Sequence, residues 1–275
     1  MSISSPERVL DAVERDLDLI ESGLRGWNRQ YYTNHRRRYL DDLALVRHWY
    51  RSGEILEIGS LPFHLTACLK ELGYAVVGVD VDPERGQDFV RKRGLTVLRC
   101  DIEREPIPVE DGRFGLVLFC EIFEHLRIDL IATMSEVNRV LAMDGILILT
   151  TPNLFSIGNI LKFLSGRPVN DVYEEFEKLH TIGHMGHVRE YSTREIRRFL
   201  EKVGFSTRAI NYRGHMARRE LLRQQLGDIR GRALSAALTG LETLRPRLRP
   251  YQSLVAQKVG LPRTIGETWS PGLGE

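Results

Sequence analysis

Apolar runs rich in β-branched residues alternate with amphipathic segments through the middle of the chain, and this alternation limits the possible folds more than any other feature. The five runs are EILEIG (54–59), AVVGVD (75–80), LTVLRC (95–100), FGLVLFC (114–120) and GILILTT (145–151). Helix-like patterns lie between them over 61–72, 83–93 and 128–141. Continuous apolar strands that alternate with helices are typical of a parallel sheet covered by helices on both faces.

Two further strands complete the predicted sheet. The segment FSTRAINY (205–212) predicts a sixth strand, and SLVAQKV (253–259) predicts a seventh. Ser192 followed by Glu195 is a capping-box pattern, which predicts that a helix begins there. We therefore expect an α/β fold: a Rossmann-like, doubly wound, mostly parallel seven-stranded sheet with N-terminal helices and a helical insertion.

These patterns divide the chain into three parts. Apolar residues recur at three- and four-residue spacing from Leu10 to Ile20, which predicts amphipathic helix. We expect an N-terminal helical lid over 1–50, an α/β domain over 51–260 and a tail over 261–275. Within the domain, the segments 154–187 and 217–250 fall outside the strand-helix alternation and are interpreted as insertions.

Composition limits the partners and the location. The net charge is only +2, so no overall field attracts nucleic acid, and nucleic acid is not an expected partner. Cys68, Cys100 and Cys120 lie in apolar segments and are expected to be buried thiols in a reducing compartment. No signal-peptide pattern or membrane-spanning run is present, which predicts a cytoplasmic protein. Peripheral attachment at the inner membrane face stays open.

Polar residues follow the first four predicted strands. Glu57 and Gly59 end the first, Asp80 the second, Asp101 follows the third, and Cys120-Glu121 the fourth. The carboxyl ends of parallel strands are where ligands bind in such sheets. A carboxylate there can accept hydrogen bonds from both ribose hydroxyls, and a glycine lets the backbone approach a ligand closely. The pattern predicts a nucleoside-shaped pocket, although Asp80 alone would also suit the cap of the next helix.

Five longer segments carry a resemblance to a known family. They are EILEIGS (54–60), VVGVDVDP (76–83), CDIEREPIPVEDGRFGLVLFCEIFEHL (100–126), VNRVLAMDGILILTTPN (137–153) and HVREYSTREIRRFLEKVGF (187–205). In order and spacing they resemble the class I S-adenosylmethionine-dependent methyltransferases over about 54–210, and the last segment resembles the type 11/12-like subgroup. The resemblance implies a methyltransferase domain in 51–260 and S-adenosylmethionine as cofactor.

The resemblance also implies a role for each strand-end residue. Glu57 and Gly59 would border the methionine portion of the cofactor, Asp80 would hold the ribose, and Asp101 with Ile102 would frame the adenine. Cys120 and Glu121 would line the pocket floor. The full set of expected cofactor-binding residues is Glu57, Gly59, Ser60, Asp80, Val81, Asp101, Ile102 and Cys120.

The glycine-rich loop departs from the family pattern, which is usually E/D-x-G-x-G-x-G. Leu61 and Phe63 stand where two glycines are expected, and Pro62 removes a backbone donor. S-adenosylmethionine has no phosphate to cradle, so these substitutions argue against a dinucleotide more than against methyl transfer. A non-catalytic binding module with a degraded glycine loop is the alternative.

Glu121, Glu124 and His125 are the candidate catalytic residues. Two carboxylates and an imidazole within five residues can hold Mg²⁺ or another divalent cation. This E-x-x-E-H pattern is similar to the metal-dependent ubiquinone-pathway O-methyltransferases and to the small-RNA 3′-end 2′-O-methyltransferases. The second likeness implies that His187, with His184 as its neighbour, completes the metal site. His125 as a general base, or in a structural role, remains an alternative.

These residues do not identify the methyl acceptor. We expect O-methylation of a small or lipid-linked hydroxyl, such as a sugar or a quinol; a metal-dependent RNA 2′-O-methyltransferase is the alternative. The insertion 154–187 is expected to line the acceptor pocket, or to rest on a membrane, with the apolar residues Phe155, Ile157, Ile160, Leu161, Phe163 and Leu164. The segment 27–39 (WNRQYYTNHRRRY) is expected to be a solvated helix face, or a lid whose arginines meet an anionic group.

The segment 217–250 has an unusual charge balance. It holds eight arginines against three acidic residues, together with an apolar side of leucines. A basic amphipathic helix of this kind can make peripheral contact with an anionic membrane. The alternative is a helix packed on the core with its arginines in water.

Overall fold

A computed structural model describes residues 5–20, 25–181, 186–214, 222 and 227–263, and for residues 25–27 it describes the backbone only. Within these residues the chain forms one seven-stranded sheet in the order β3-β2-β1-β4-β5-β7-β6. The strands are β1 (Glu54–Ile58), β2 (Val76–Asp80), β3 (Thr96–Arg99), β4 (Phe114–Cys120), β5 (Leu141–Pro152), β6 (Phe205–Arg213) and β7 (Tyr251–Lys258).

The sheet is parallel except at one edge. β1 pairs in parallel with both β2 and β4, and β4 pairs in parallel with β5. β7 lies antiparallel between β5 and β6. The strand order therefore reverses between β1 and β4, which opens a crevice at the carboxyl ends of these strands. The predicted doubly wound, mostly parallel sheet is confirmed.

Nine helices are described: α1 (Pro6–Glu14), α2 (Arg25–Trp49), α3 (His64–Glu71), α4 (Gln87–Arg93), α5 (Leu130–Val140), α6 (Ile157–Leu164), α7 (Val172–Thr181), α8 (Thr193–Lys202) and α9 (Asp228–Leu244). The predicted capping box is present, because Ser192 Oγ accepts from the Glu195 amide and the Glu195 carboxylate accepts from the Ser192 amide. The helix predicted over 61–72 begins three residues later, because the chain turns tightly through Ser60–Phe63.

The two faces of the sheet bury separate apolar clusters. Successive strand residues point to opposite faces, so Ile55 packs on one side and Leu56 on the other. The first cluster includes α1, α2 and α3, and the second includes α5 and α8. The Tyr32 hydroxyl donates to the Leu10 carbonyl at 2.6 Å, which ties α2 to α1 beneath that first cluster.

None of the described helices is long and apolar enough to cross a membrane.

Candidate active site

A cavity of about 780 Å³ opens along the carboxyl edge of the sheet, where the strand order reverses. Its volume lies within the range usual for ligand-binding pockets. Every expected cofactor-binding residue lines it: Glu57, Gly59, Ser60, Asp80, Val81, Asp101, Ile102 and Cys120. The expected catalytic and metal-binding residues line it as well: Glu121, Glu124, His125 and His187. Their individual roles stay predictions, but the fold brings all of them around one space.

The loop after β1 keeps a glycine-like path despite its substitutions. Gly59 has φ +69°, and a Cβ there would lie 2.0 Å from the end of the Ile122 side chain, so a larger residue would strain the backbone and displace Ile122. Phe63 is not a glycine, yet it adopts φ +66°, and its buried ring lies directly against Gly86. The Phe63 ring therefore packs the loop onto the turn after β2, and this packing offsets the left-handed backbone of Phe63.

Asp80 ends β2 with its carboxylate at the cavity. Its Oδ2 accepts from the Leu61 amide at 2.8 Å, and its Oδ1 accepts from the Asp82 amide at 3.1 Å. The 3₁₀ turn that follows (Pro83–Gly86) has Asp82, not Asp80, as its N-cap. Burial raises the pKa of Asp80, although three backbone amides oppose the shift. Each carboxylate oxygen has a further lone pair, so Asp80 can still accept hydrogen bonds from a ligand.

Glu57 lies one strand away and is almost fully buried. The Thr66 hydroxyl donates to its carboxylate. Burial, with smaller effects of the Asp42 and Asp80 charges, raises the pKa of Glu57 to about 8, while Thr66 and Arg38 act in the opposite direction. The group is thus largely protonated at neutral pH, and a ligand with a positive charge would favour its ionised form.

We expect Glu57→Gln to make the stability of the ligand-free protein less dependent on pH. The pKa of about 8 in the folded protein exceeds the ordinary value of 4.5, so between these values the folded state holds the extra proton. Raising the pH from 6 to 8 therefore destabilises the wild type, by up to about 1 kcal/mol per pH unit, and the glutamine removes this contribution. Urea unfolding at pH 6, 7 and 8 measures the difference.

Glu54→Gln is the matched control, because Glu54 lies on the same strand but is paired with Arg113 at the surface. It should leave the loss of stability between pH 6 and 8 unchanged. Equal pH dependence in the wild type and Glu57→Gln would show that Glu57 ionises at its ordinary pKa.

Three side chains on the far wall form a cluster with ligand geometry. Glu124, His125 and His187 each offer one donor atom, and these atoms lie within 4.8 Å of one another. Glu124 Oε2 accepts from the Thr151 hydroxyl at 2.8 Å, whereas its buried Oε1 has no hydrogen-bond partner among the described residues. A carboxylate with two imidazoles is a donor set typical of divalent transition metals.

Each imidazole has a polar partner at its Nδ1 atom. His125 Nδ1 lies 3.0 Å from the Gly186 carbonyl, so it carries the proton and leaves Nε2 as the acceptor. His187 Nδ1 lies 3.6 Å from Glu190 Oε1. Burial lowers the pKa of His187, but the carboxylates around it outweigh burial and the pKa is raised. Metal-bound histidines usually have such a partner behind the ring.

Glu121 stands apart from this cluster, although it was expected to share a metal with it. It has φ +57°, and its Oε1 accepts from the Thr150 hydroxyl at 2.8 Å. Its charge acts on Glu124, since burial and the neighbouring Glu121 raise the pKa of Glu124 to about 8. His184, the proposed neighbour of His187, lies outside the described residues.

Helix α2 contributes a wall that the sequence pattern left undecided. Its residues Tyr31, His35, Arg38, Tyr39 and Asp42 line the cavity. The Tyr39 hydroxyl lies 2.9 Å from His64 Nδ1, which joins α2 to the first turn of α3. Asn28, Tyr32 and Tyr39 are buried, so the interpretation of 27–39 as a solvated helix face is wrong for this side of the helix.

The insertion 154–187 lines the cavity with different residues from those expected. Ser156, Asn159, Lys178 and Leu179 border the cavity, and Asn159 Nδ2 donates to Glu190 Oε2 at 2.7 Å. The apolar residues that were candidates for an acceptor pocket do not line it. Instead Phe155, Leu161, Phe163 and Leu164 are exposed.

Comparison with known proteins identifies the family. Residues 32–210 match the model of a family described as a methyltransferase domain. The match covers more than half of the chain, so the chain belongs to this family and is an S-adenosylmethionine-dependent methyltransferase. No curated protein matches it.

Solved structures of methyltransferases have a similar fold. An S-adenosylmethionine-dependent methyltransferase from Thermotoga maritima has a TM-score of 0.55 and 19% identity, covering 91% of this chain and 99% of that chain. Another from Archaeoglobus fulgidus has a TM-score of 0.54 and 17% identity, covering 83% and 99%. At these identities the likeness shows the fold and leaves the acceptor open.

Proposed function

We propose that this methyltransferase methylates a hydroxyl oxygen of a small or lipid-linked acceptor, such as a sugar or a quinol, with the help of a divalent cation. The observation that carries the proposal is the cluster of Glu124, His125 and His187 on the wall of the cavity. A hydroxyl is a poor nucleophile until its proton is removed, so an oxygen acceptor needs a base or a metal at this place.

The cavity residues fit the cofactor. When bound, S-adenosylmethionine supplies a methyl group that its sulfonium already makes electrophilic. Asp80 has the lone pairs to accept from two ribose hydroxyls, and Asp101 with Ile102 would border the adenine. Glu57 is a buried carboxyl whose ionisation a cationic amino group would favour. Gly59 leaves the backbone bare beside Ile122, which a larger side chain would have to displace.

The cluster also fits a cation. Glu124 has a buried oxygen without a partner among the described residues. Because His125 Nδ1 carries the proton, Nε2 is the atom of this ring that would bind the metal. Two imidazoles make the set softer than Mg²⁺ prefers, so Mn²⁺ or Zn²⁺ suits it better. A cation held here would lower the pKa of a hydroxyl that contacts it. Without a cation, His125 Nε2 itself would accept the hydroxyl proton.

A labelled-methyl assay tests the proposal. The full chain is incubated with S-adenosylmethionine carrying a deuterated methyl group and a panel of a catechol, a sugar and an amine, before and after treatment with chelator. We expect label on oxygen, lost after chelation and restored by Mn²⁺. Label confined to the amine would contradict the proposal. Full activity in chelator would contradict the role of the cation and leave O-methylation standing.

RNA 2′-O-methylation remains the second candidate, because it would use the same cluster. Acidic residues outnumber basic ones along the cavity wall, which disfavours a long phosphate backbone. A short RNA with a free 3′ end belongs in the same panel. Label on its terminal ribose would favour this candidate over a small acceptor.

We further propose that the protein makes peripheral contact with an anionic membrane next to the cavity. The insertion face, which we define as Phe155, Leu161, Phe163, Leu164, Val172, Tyr173 and Phe176, is exposed. Seven exposed apolar side chains within one short insertion are unusual for a monomeric soluble protein. Of the basic segment 217–250, the described part includes α9, where Ile229 is exposed next to the exposed Arg230 and Arg232, and Leu244 is exposed at the other end of the helix.

Co-sedimentation with vesicles of phosphatidylcholine and phosphatidylserine tests this contact. Phe163→Asp with Leu164→Asp should lower the membrane partition coefficient at least about 30-fold, since two apolar side chains that enter the membrane are each worth more than about 1 kcal/mol. Ile229→Asp probes α9 separately, and Thr243→Asp is an exposed control on the same helix. Binding that neither apolar variant reduces, or equal binding to pure phosphatidylcholine, would contradict the proposal.

A further inference from the structure

We propose that Arg38 and Arg213 bind a carboxylate or phosphate group of the acceptor. This inference deepens the proposed function and rests on it, because it places the anionic group in the acceptor part of the same cavity. It makes the acceptor a hydroxylated compound that also carries an oxyanion.

The two arginines face a common recess. A space of about 10 Å³ lies between His35, Arg38, Glu121, Arg213 and Tyr251. All of these except Arg213 also line the main cavity, so the recess is a side pocket of it. This volume is about what one water molecule or one oxygen atom needs.

The arginines bring buried donors that lack partners. Arg213 is 8% exposed and donates from Nη1 to Asp42 Oδ1 at 2.8 Å. Its Nε and Nη2 are buried and have no hydrogen-bond partner in the part of the chain that the structure describes. Arg38 donates from Nη2 to the Tyr31 hydroxyl at 3.0 Å, and its buried Nε likewise has no described partner. Buried guanidinium groups normally satisfy these donors, and oxyanions match their geometry.

The surrounding charges determine how strongly an anion would bind. The arginines face the carboxylates of Asp42 and Glu121, so the formal charges of the four groups balance. Glu57 adds little negative charge at neutral pH, since burial raises its pKa to about 8. An oxyanion would therefore be held mainly by filling vacant hydrogen bonds, and we expect moderate affinity with strong preference over a neutral analogue.

Three of the five residues that line the recess lie on the acceptor side of the sheet, while Arg38 of α2 also acts on the pKa of Glu57 on the cofactor side. Arg213 ends β6, Tyr251 begins β7, and Glu121 follows β4. These elements belong to one half of the sheet. Glu57, Asp80 and Asp101, which fit the cofactor, follow β1, β2 and β3 in the other half.

Calorimetric titration of the full chain, saturated with S-adenosylhomocysteine, tests the proposal. The probes are benzoate and inorganic phosphate, with benzamide as the neutral analogue of benzoate. We expect one of the two anions to bind at least about tenfold more tightly than benzamide. The anion that binds more tightly shows whether the oxyanion of the acceptor is a carboxylate or a phosphate. Arg38→Gln should weaken its binding about tenfold. Arg37→Gln is the matched control, because Arg37 lies on the same helix and is paired at the surface with Asp41.

Arg213 needs a second variant, since its loss alone would leave Asp42 buried and unpaired. Arg213→Gln combined with Asp42→Asn removes both charges and should also weaken anion binding. If S-adenosylhomocysteine bound normally but the anions bound no better than benzamide, this inference would be overturned and the proposed function would stand.

The cofactor carboxylate is the other source of an oxyanion. If Arg38→Gln weakened S-adenosylhomocysteine but not 5′-methylthioadenosine, which lacks that carboxylate, the arginine would serve the cofactor and the inference would be overturned. Failure of the wild type to bind S-adenosylhomocysteine at all would instead count against the proposed function.

Discussion

Replacing Asp80 by alanine should weaken the binding of S-adenosylhomocysteine about 100-fold. Hydrogen bonds to a charged group contribute about 1.5–3 kcal/mol each, and Asp80 is placed to accept two from the ribose. A loss of about 3 kcal/mol corresponds to roughly 100-fold in the dissociation constant. Asp80→Asn keeps one acceptor oxygen, so it should show a smaller loss, and calorimetric titration measures both variants.

Two controls separate cofactor binding from folding. Asp88→Ala removes an exposed aspartate on α4, and it should bind the ligand like the wild type. Asp80 also accepts from the amides of Leu61 and Asp82, so the thermal unfolding of each variant must be compared. An Asp80→Ala protein that folds and keeps wild-type affinity would remove Asp80 from the cofactor site.

Replacing His187 by alanine should lower the affinity for Mn²⁺ or Zn²⁺ by more than about 100-fold. The change removes one of three donor groups, whereas loss of a group behind a metal-bound histidine typically costs 10–100-fold. Glu190→Gln, which alters only the group behind His187, should therefore have the smaller effect. Metal titration by calorimetry at constant pH measures both variants and needs no knowledge of the acceptor.

The matched control is His180→Ala, because His180 is an exposed histidine on α7. Metal affinity should be unchanged in this variant. Equal metal binding by the His187→Ala variant and the wild type would show that the cluster holds no metal. The interpretation of His125 as a general base would then be favoured.

The sequence predicted the elements whose formation depends on local pattern. β2, β4 and the second half of β5 are largely apolar runs that are buried along their length, and burial on both faces allows little else. The capping box at Ser192 is likewise a local signal, because both its hydrogen bonds lie within four residues. The strand-end positions of Asp80 and Glu57 follow from those strands, so their convergence on one edge was predictable as well.

Tertiary packing decided what the sequence could not predict. Nothing in the run 27–39 indicates that Arg38 faces the cavity while Arg37 faces solvent, since that depends on how α2 packs on α3. The position of Glu190 behind His187 was missed, although its three-residue spacing from His187 was a usable signal. The left-handed backbone conformation of Phe63 could not be predicted either, because it depends on the packing of the Phe63 ring against Gly86, which is distant in the sequence.

A crystal structure of the full chain with S-adenosylhomocysteine is the most direct test of the central claim that the carboxyl edge of β1 to β4 binds the adenosyl group. We predict density for the ligand in the cavity, with both ribose hydroxyls within hydrogen-bond distance of the Asp80 carboxylate and the adenine beside Ile102. Ligand density elsewhere on the protein, with this edge empty under saturating conditions, would contradict the account.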